Sequence, residues 1–225
     1  MRTFAVLPVK RFDAAKQRLR AALAPSARRT LARAMVHDVL DALDRVDGID
    51  HVVVVTAEEP VRALAAARGD TVIDDAEQTG QSPAALLGIA AATQAGATRV
   101  LLVPGDCPAL WPKEVDGMLR RHAKEPGVVV VPDRHGTGTN ALLLTPPDAI
   151  APAFGEGSRR RHLREALDAG FTPAVEPLVS LGLDVDTPDD LDTLTAALER
   201  IPEEFARHTR AALSDLRRDS ALGTR

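Results

Sequence analysis

The feature that most constrains this chain is an alternation. Short apolar runs rich in Val and Leu recur along it, separated by stretches of helical period. That pattern builds a largely parallel sheet with helices on both faces. Strands are expected at Phe4–Val9, His51–Thr56, Thr71–Asp74, Val100–Val103, Val128–Val131, Ala141–Leu144 and Leu181–Val185. Helices are expected over Ser26–Val46, with Ser26 as N-cap, and over Glu59–Arg68, Pro83–Ala95, Pro112–Ala123, Ser158–Ala169 and Pro188–Arg200. The link from Val131 to Ala141 is too short for a crossover helix, so those two strands should pair antiparallel and the sheet should be mixed.

The 225 residues are 45% hydrophobic, with 28 basic side chains against 32 acidic ones, enough apolar surface for a core and too little charge imbalance for disorder. Residues 1–200 are expected to form one domain. Pro202 breaks the last helix, and residues 201–225 follow as a helical extension with Phe205, Leu213 and Leu216 on one face. A homodimer contact through this extension is one reading, a loosely packed terminal helix the other. A net charge of −4 and 3% aromatic residues argue against nucleic acid as a partner. Neither a signal peptide nor a membrane span is visible, so the expected location is cytoplasmic. The lone Cys107 excludes an internal disulfide, and with no Cys/His cluster near it a structural zinc site is excluded too.

In open α/β sheets ligands bind beyond the carboxyl ends of the strands. The residues that follow the expected strands are unusually polar. Lys10, Arg11, Lys16 and Arg18 follow the first strand and could neutralise a triphosphate, although a solvated basic loop has the same composition. Neither a Walker loop nor a Gly-x-Gly-x-x-Gly turn is present. Asp106 lies in a Gly-Asp-Cys-Pro turn after the fourth strand, and Asp186 ends the last. Each alone is an ordinary turn or helix-start acid. If both strands are central the two approach each other, and paired carboxylates at such a site call for a bound cation or a raised pKa, most simply for Mg²⁺. Asp184 should point to the opposite face by strand alternation. Gly136-Thr-Gly-Thr-Asn140 and Phe154-Gly-Glu-Gly-Ser158 suit an anion, the second at a helix start where Arg159, Arg160 and Arg161 could turn inward. A hairpin turn and a plain N-cap are the alternatives. Cys107 reads as a small turn residue rather than a nucleophile.

These motifs resemble those of the phosphoenolpyruvate/2-phospho-L-lactate guanylyltransferases of coenzyme F-420 biosynthesis. The resemblance runs from Leu7-Pro-Val-Lys10 and Ala15-Lys16-Gln-Arg18-Leu through Gly105-Asp106-Cys-Pro108 and Asp133-Arg-His-Gly-Thr-Gly-Thr-Asn-Ala141. It continues through Phe154-Gly155-Glu-Gly157-Ser158 with His162 to Leu183-Asp-Val-Asp186-Thr-Pro, and so covers nearly everything before residue 201. It implies a Rossmann-like nucleotidyltransferase fold of the glycosyltransferase-A type, acting with Mg²⁺ on GTP and a small phosphorylated three-carbon acid. Carried over by position, Lys16, Asp106 and Asp186 are catalytic and the two acids bind the metal. Pro8, Lys10, Lys16, Gly80 and Ser82 border the nucleotide, while Thr139, Gly155 and Ser158 hold the acid. Gln81-Ser82-Pro83-Ala84-Ala85 stands where the family commonly reads Gly-Leu-Asn-Ala-Ala, which makes guanine selectivity the least constrained part. A nucleotidyltransferase with another acceptor, such as a molybdopterin or a sugar phosphate, and a non-catalytic GTP-binding module are the competing readings.

Overall fold

A computed structural model describes residues 1–13, 16–124 and 126–222. Along the chain run β1 (Thr3–Val9), α1 (Pro25–Leu43), β2 (His51–Thr56), α2 (Glu59–Arg68), β3 (Thr71–Ile73), α3 (Gln81–Gln94), β4 (Arg99–Leu102) and α4 (Pro112–Arg121). Then come β5 (Gly127–Pro132), β6 (Thr139–Thr145), α5 (Ser158–Asp168), β7 (Ala174–Val175), α6 (Pro188–Leu198) and α7 (Arg207–Leu222). The strands form one mixed sheet in the order β3-β2-β1-β4-β6-β5-β7. The first four pair parallel, whereas β6 runs antiparallel to both β4 and β5, as its short link to β5 requires. Reversing β6 brings its first residue, Thr139, to the same edge as the carboxyl ends of β1 and β4. All of the polar turns therefore meet at one edge.

Strand alternation divides β1 between two cores. Ala5, Leu7 and Val9 face a layer containing Val36, Val39 and Leu40 of α1, Val61 of α2 and Met118 of α4. Phe4 and Val6 face the opposite layer, with Ala84, Ala85 and Ile89 of α3 and Ala166 of α5. On that side α3 lies close against the sheet because it presents Ala and Gly: a Cβ at Gly88 would come within 2.3 Å of Val6 Cγ1 and 3.0 Å of Val55 Cγ2. Gly88→Ala is accordingly expected to destabilise the protein by about 2 kcal/mol through overpacking, despite the better helix propensity of Ala, as read by urea unfolding.

Two expectations fail. Leu181–Val185 is not a strand; the seventh strand is the short β7, paired with β5. Leu181 and Val185 are fully buried, so their apolar character reflects burial in an irregular segment. Hydrogen bonds from outside a ladder hold that segment, from Arg134 N–H to Gly182 O at 2.9 Å and from Val185 N–H to Asp106 O at 3.2 Å. Nor is Ser26 an N-cap. The first helix begins at Pro25 after Ala24, which makes no side-chain cap bond, and Pro25 itself fixes the start.

Residues 201–222 fold back on their own chain. Ala212 and Leu213 of α7 are buried with Leu31 and Met35 of α1 and Leu194 and Leu198 of α6. Asp38 of α1 accepts the N–H groups of His208 (3.0 Å) and Thr209 (2.7 Å), satisfying two donors of the first turn of α7. Residues 223–225, the end of the expected extension, lie outside the described residues. No helix among those described is long and apolar enough to cross a membrane.

Candidate active site

A cleft of about 660 Å³ opens at the edge where the turns converge. Pro8, Lys10, Lys16, Asp106, Thr139, Gly155, Ser158 and Asp186 all line it. Gly80 and Ser82 do not. Gly80 precedes α3, and the Ser82 hydroxyl accepts the Phe154 N–H at 2.9 Å, tying α3 to the loop before α5, while the neighbouring Gln81 lines the cleft. Ala15, in the motif around Lys16, lies outside the described residues.

Lys16 lies beyond the end of β1 and caps a 3-10 turn (Gln17–Ala21), with its backbone left-handed at φ 56°. Its side chain runs inward, only 6% exposed, and its ammonium donates to both Asp106 and Asp186, the latter at 3.0 Å. Burial alone would lower the pKa of this lysine. The two carboxylates outweigh burial and hold it well above the ordinary lysine range. Two acids 80 residues apart in sequence thus share one cation.

Each acid is held by its surroundings. The Val185-to-Asp106 backbone bond joins the two turns directly. Beyond Asp186, Thr187 caps α6 in a reciprocal box with Asp190, whose Oδ2 accepts from the N–H groups of Asp186 (3.0 Å) and Thr187 (2.7 Å). Arg134 anchors the other Asp190 oxygen at 2.5 Å. Asp190→Ala should remove the carboxylate half of the capping box and with it the brace on Asp186. A stability loss of about 1–2 kcal/mol in denaturant melts is expected, and turnover should fall further than that loss explains.

Asp184 corrects the sequence reading. With no strand to alternate, it faces the same cleft as Asp106 and Asp186. Burial and then the Asp106 charge raise its pKa to about 6, while a hydrogen bond from Asn140 Nδ2 at 3.1 Å opposes the rise. The same Asn140 amide donates to Leu181 O at 2.8 Å, so its donors hold the 181–184 segment rather than a ligand. Cys107 is fully buried, its thiol 3.4 Å from Leu181 O, and burial pushes its pKa well up, so it is no nucleophile.

The opposite wall is built by the 136–139 turn and the loop leading into α5. Gly136, Gly155 and Gly157 all have positive φ, a conformation that leaves the α5 N-terminus open to the cleft. The arginines of α5 do not turn inward as the sequence suggested. Arg159 bonds Gly136 O at 2.8 Å, and Arg161 reaches back to Ala153 O at 3.0 Å and to Phe154 O at 3.3 Å, so both brace the loops. Sequence reasoning named His162 only within a motif and gave it no role. It is completely buried behind Thr139, with Phe154 packed edge-on at 5.2 Å. A lone His carries no local signature in sequence.

A separate group, Asp38, Asp41 and His208, brings three potential metal-binding side chains together where α1 meets α7. Both Asp38 oxygens are engaged at the start of α7, and Asp41 pairs with Arg68 at 2.8 Å, so these groups serve helix packing.

A mixed α/β sheet with paired acids, a shared lysine and an anion-suited helix start gathered in one cleft at its edge defines a nucleotidyltransferase. The fold is similar to that of a Desulfovibrio desulfuricans G20 protein described as a nucleotide-diphospho-sugar transferase, with a TM-score of 0.76 at 18% identity, covering 97% of this chain and 98% of that one. The chain belongs to the CofC-like guanylyl transferase family, whose model matches residues 3–216. It is 46% identical to the phosphoenolpyruvate guanylyltransferase of Conexibacter woesei, over 97% of this chain and 98% of the relative. It is 35% identical to the 3-phospho-D-glycerate guanylyltransferase of Phenylobacterium zucineum, over 95% of this chain and 96% of that one.

Proposed function

We propose that this enzyme transfers GMP from GTP to the phosphate of phosphoenolpyruvate, releasing pyrophosphate, as a step of coenzyme F-420 biosynthesis. The observation that carries the reading is the meeting of Asp106, Asp186 and Lys16 in one cleft with the glycine-rich start of α5. An oxygen of the acceptor phosphate attacks the α-phosphorus of GTP. The new O–P bond forms as the bond to the β-phosphate oxygen breaks, and pyrophosphate leaves. No protein base is required, because the attacking phosphate is already ionised at neutral pH. The barrier lies in bringing two polyanions together and aligning them.

Asp106 and Asp186 fit a divalent cation. Their oxygens are hard donors that already converge on one cationic centre. Mg²⁺ held by the two acids would supply charge neutralisation at the nucleotide phosphates. Lys16 lies beside that pair and serves the triphosphate, with Pro8 and Lys10 bordering the same end. Thr139, Ser158 and the backbone at Gly155 supply donors to the acid's carboxylate and phosphate. Of the three acids named in relatives, phosphoenolpyruvate, 2-phospho-L-lactate and 3-phospho-D-glycerate, the first is favoured by the greater identity to its transferase.

The test is purified protein with GTP, Mg²⁺ and each acid in turn, with a sugar phosphate as a further acceptor. The expected result is a GMP adduct of phosphoenolpyruvate by mass analysis, with stoichiometric pyrophosphate. Nucleotide binding without pyrophosphate release, or an adduct of the sugar phosphate alone, overturns the reading.

A further inference from the structure

We infer that His162 is a positioning residue: it fixes the Thr139 hydroxyl as a hydrogen-bond donor into the acid-binding end of the cleft, and so sets affinity for the phosphorylated acid. The inference deepens the proposed function and rests on Thr139 contacting the acceptor. Its basis is the direction of two hydrogen bonds. The Ala153 N–H, which can only donate, points at His162 Nε2 at 2.8 Å, so Nε2 carries the lone pair. A neutral imidazole then has its proton on Nδ1. That nitrogen lies 3.0 Å from Thr139 Oγ1, which must accept from it.

The consequence falls on the hydroxyl. A threonine hydroxyl has one proton and can either give or take. With the imidazole donating to Oγ1 from behind, the hydroxyl proton is free to turn towards the cleft that Thr139 lines. An anionic acceptor needs donors there, so the histidine enforces the useful polarity before the acid arrives. Burial, and then the charge of Arg161, keep the ring neutral by lowering its pKa to about 4. The ring also ties the start of β6 to the loop carrying Gly155, through Thr139 and Ala153 respectively.

The two bonds can be cut separately. A Gln side chain places its terminal amide near the position of Nε2, keeping an acceptor for Ala153 and losing the donor to Thr139. An Asn side chain places its amide near Nδ1, keeping the donor and losing the acceptor. His162→Gln is expected to raise KM for phosphoenolpyruvate on the order of tenfold, the factor typical of a weakened hydrogen bond to a charged group, with KM for GTP nearly unchanged. His162→Asn should recover most of that loss, and His162→Gln should add little on top of Thr139→Val. Equal acid KM values for the Gln and Asn variants, parallel rises in both KM values, or wild-type KM in His162→Gln each overturn the inference. Nitrogen NMR of the His-labelled wild-type protein gives a readout independent of folding of the variants. Protonation at Nδ1 is expected, and protonation at Nε2 overturns the inference. If wild-type protein transfers GMP to none of the acids, the functional reading falls, whereas transfer without the KM split removes only the role of His162.

Discussion

Asp106→Asn should lower turnover by about three orders of magnitude, equivalent to about 4 kcal/mol of transition-state stabilisation, while leaving the shape of the turn intact. The substitution removes the charge of one of the two acids proposed to hold the metal. It also has a structural consequence. Lys16 is 6% exposed and pairs with both Asp106 and Asp186, so the Asn variant leaves a buried ammonium with one carboxylate partner in place of two. Stability should fall by about 2 kcal/mol, and the raised pKa of Lys16 should drop with the loss of the Asp106 charge. The double variant Asp106→Asn/Lys16→Gln separates the two effects. Removing the stranded cation should restore part of the stability, while pyrophosphate release stays at or below the level of the single variant because Lys16 also serves the triphosphate. Single-turnover assays alongside urea melts give both numbers, and near-wild-type turnover in Asp106→Asn would remove the metal-site assignment.

The sequence carried those parts of the site that depend on strand ends. Asp106 and Lys16 follow buried strands, and a turn after a buried strand of a parallel sheet faces the ligand edge whatever its details. Asp186 reaches the same place by a different route. The apolar run before it suggested a central strand, yet the chain there is irregular, fixed by Asn140, Arg134 and the carbonyl of Asp106. Hydrophobicity reports burial, and only pairing partners decide whether a buried segment is a strand. The same error reversed Asp184, because the alternation that would turn it away exists only in a ladder. The arginines of α5 failed for a related reason: charge near a helix start suggests an anion, but backbone carbonyls of the neighbouring loops compete for the same guanidinium groups. His162 had no local signal at all, since its partners, Thr139 and Ala153, come from β6 and a loop. The packing of α7 on α1 was half legible. The apolar face of α7 was readable, but its partner depends on Asp38, a buried acid that sequence alone gives no reason to pair with a helix start 170 residues away.

Acidification should reveal the cost of burying His162, but only in a difference measurement. The ring has an ordinary pKa near 6.5 in the unfolded chain and about 4 in the folded one. Between these values the unfolded state holds a proton that the native state excludes, so stability falls as pH falls through the window. The full effect is about 3 kcal/mol, because each pKa unit corresponds to about 1.4 kcal/mol. Asp184 opposes it. Its folded pKa is raised to about 6, chiefly by burial, so there the native state takes up the proton first and gains stability as pH falls. These two contributions to wild-type stability should therefore largely cancel where their windows overlap. His162→Gln removes one arm of the cancellation. Its stability relative to wild type should improve by about 3 kcal/mol on going from pH 7 to pH 4. Urea unfolding of both proteins at four or five pH values measures this, and a difference that does not change with pH would show that His162 titrates normally in the fold.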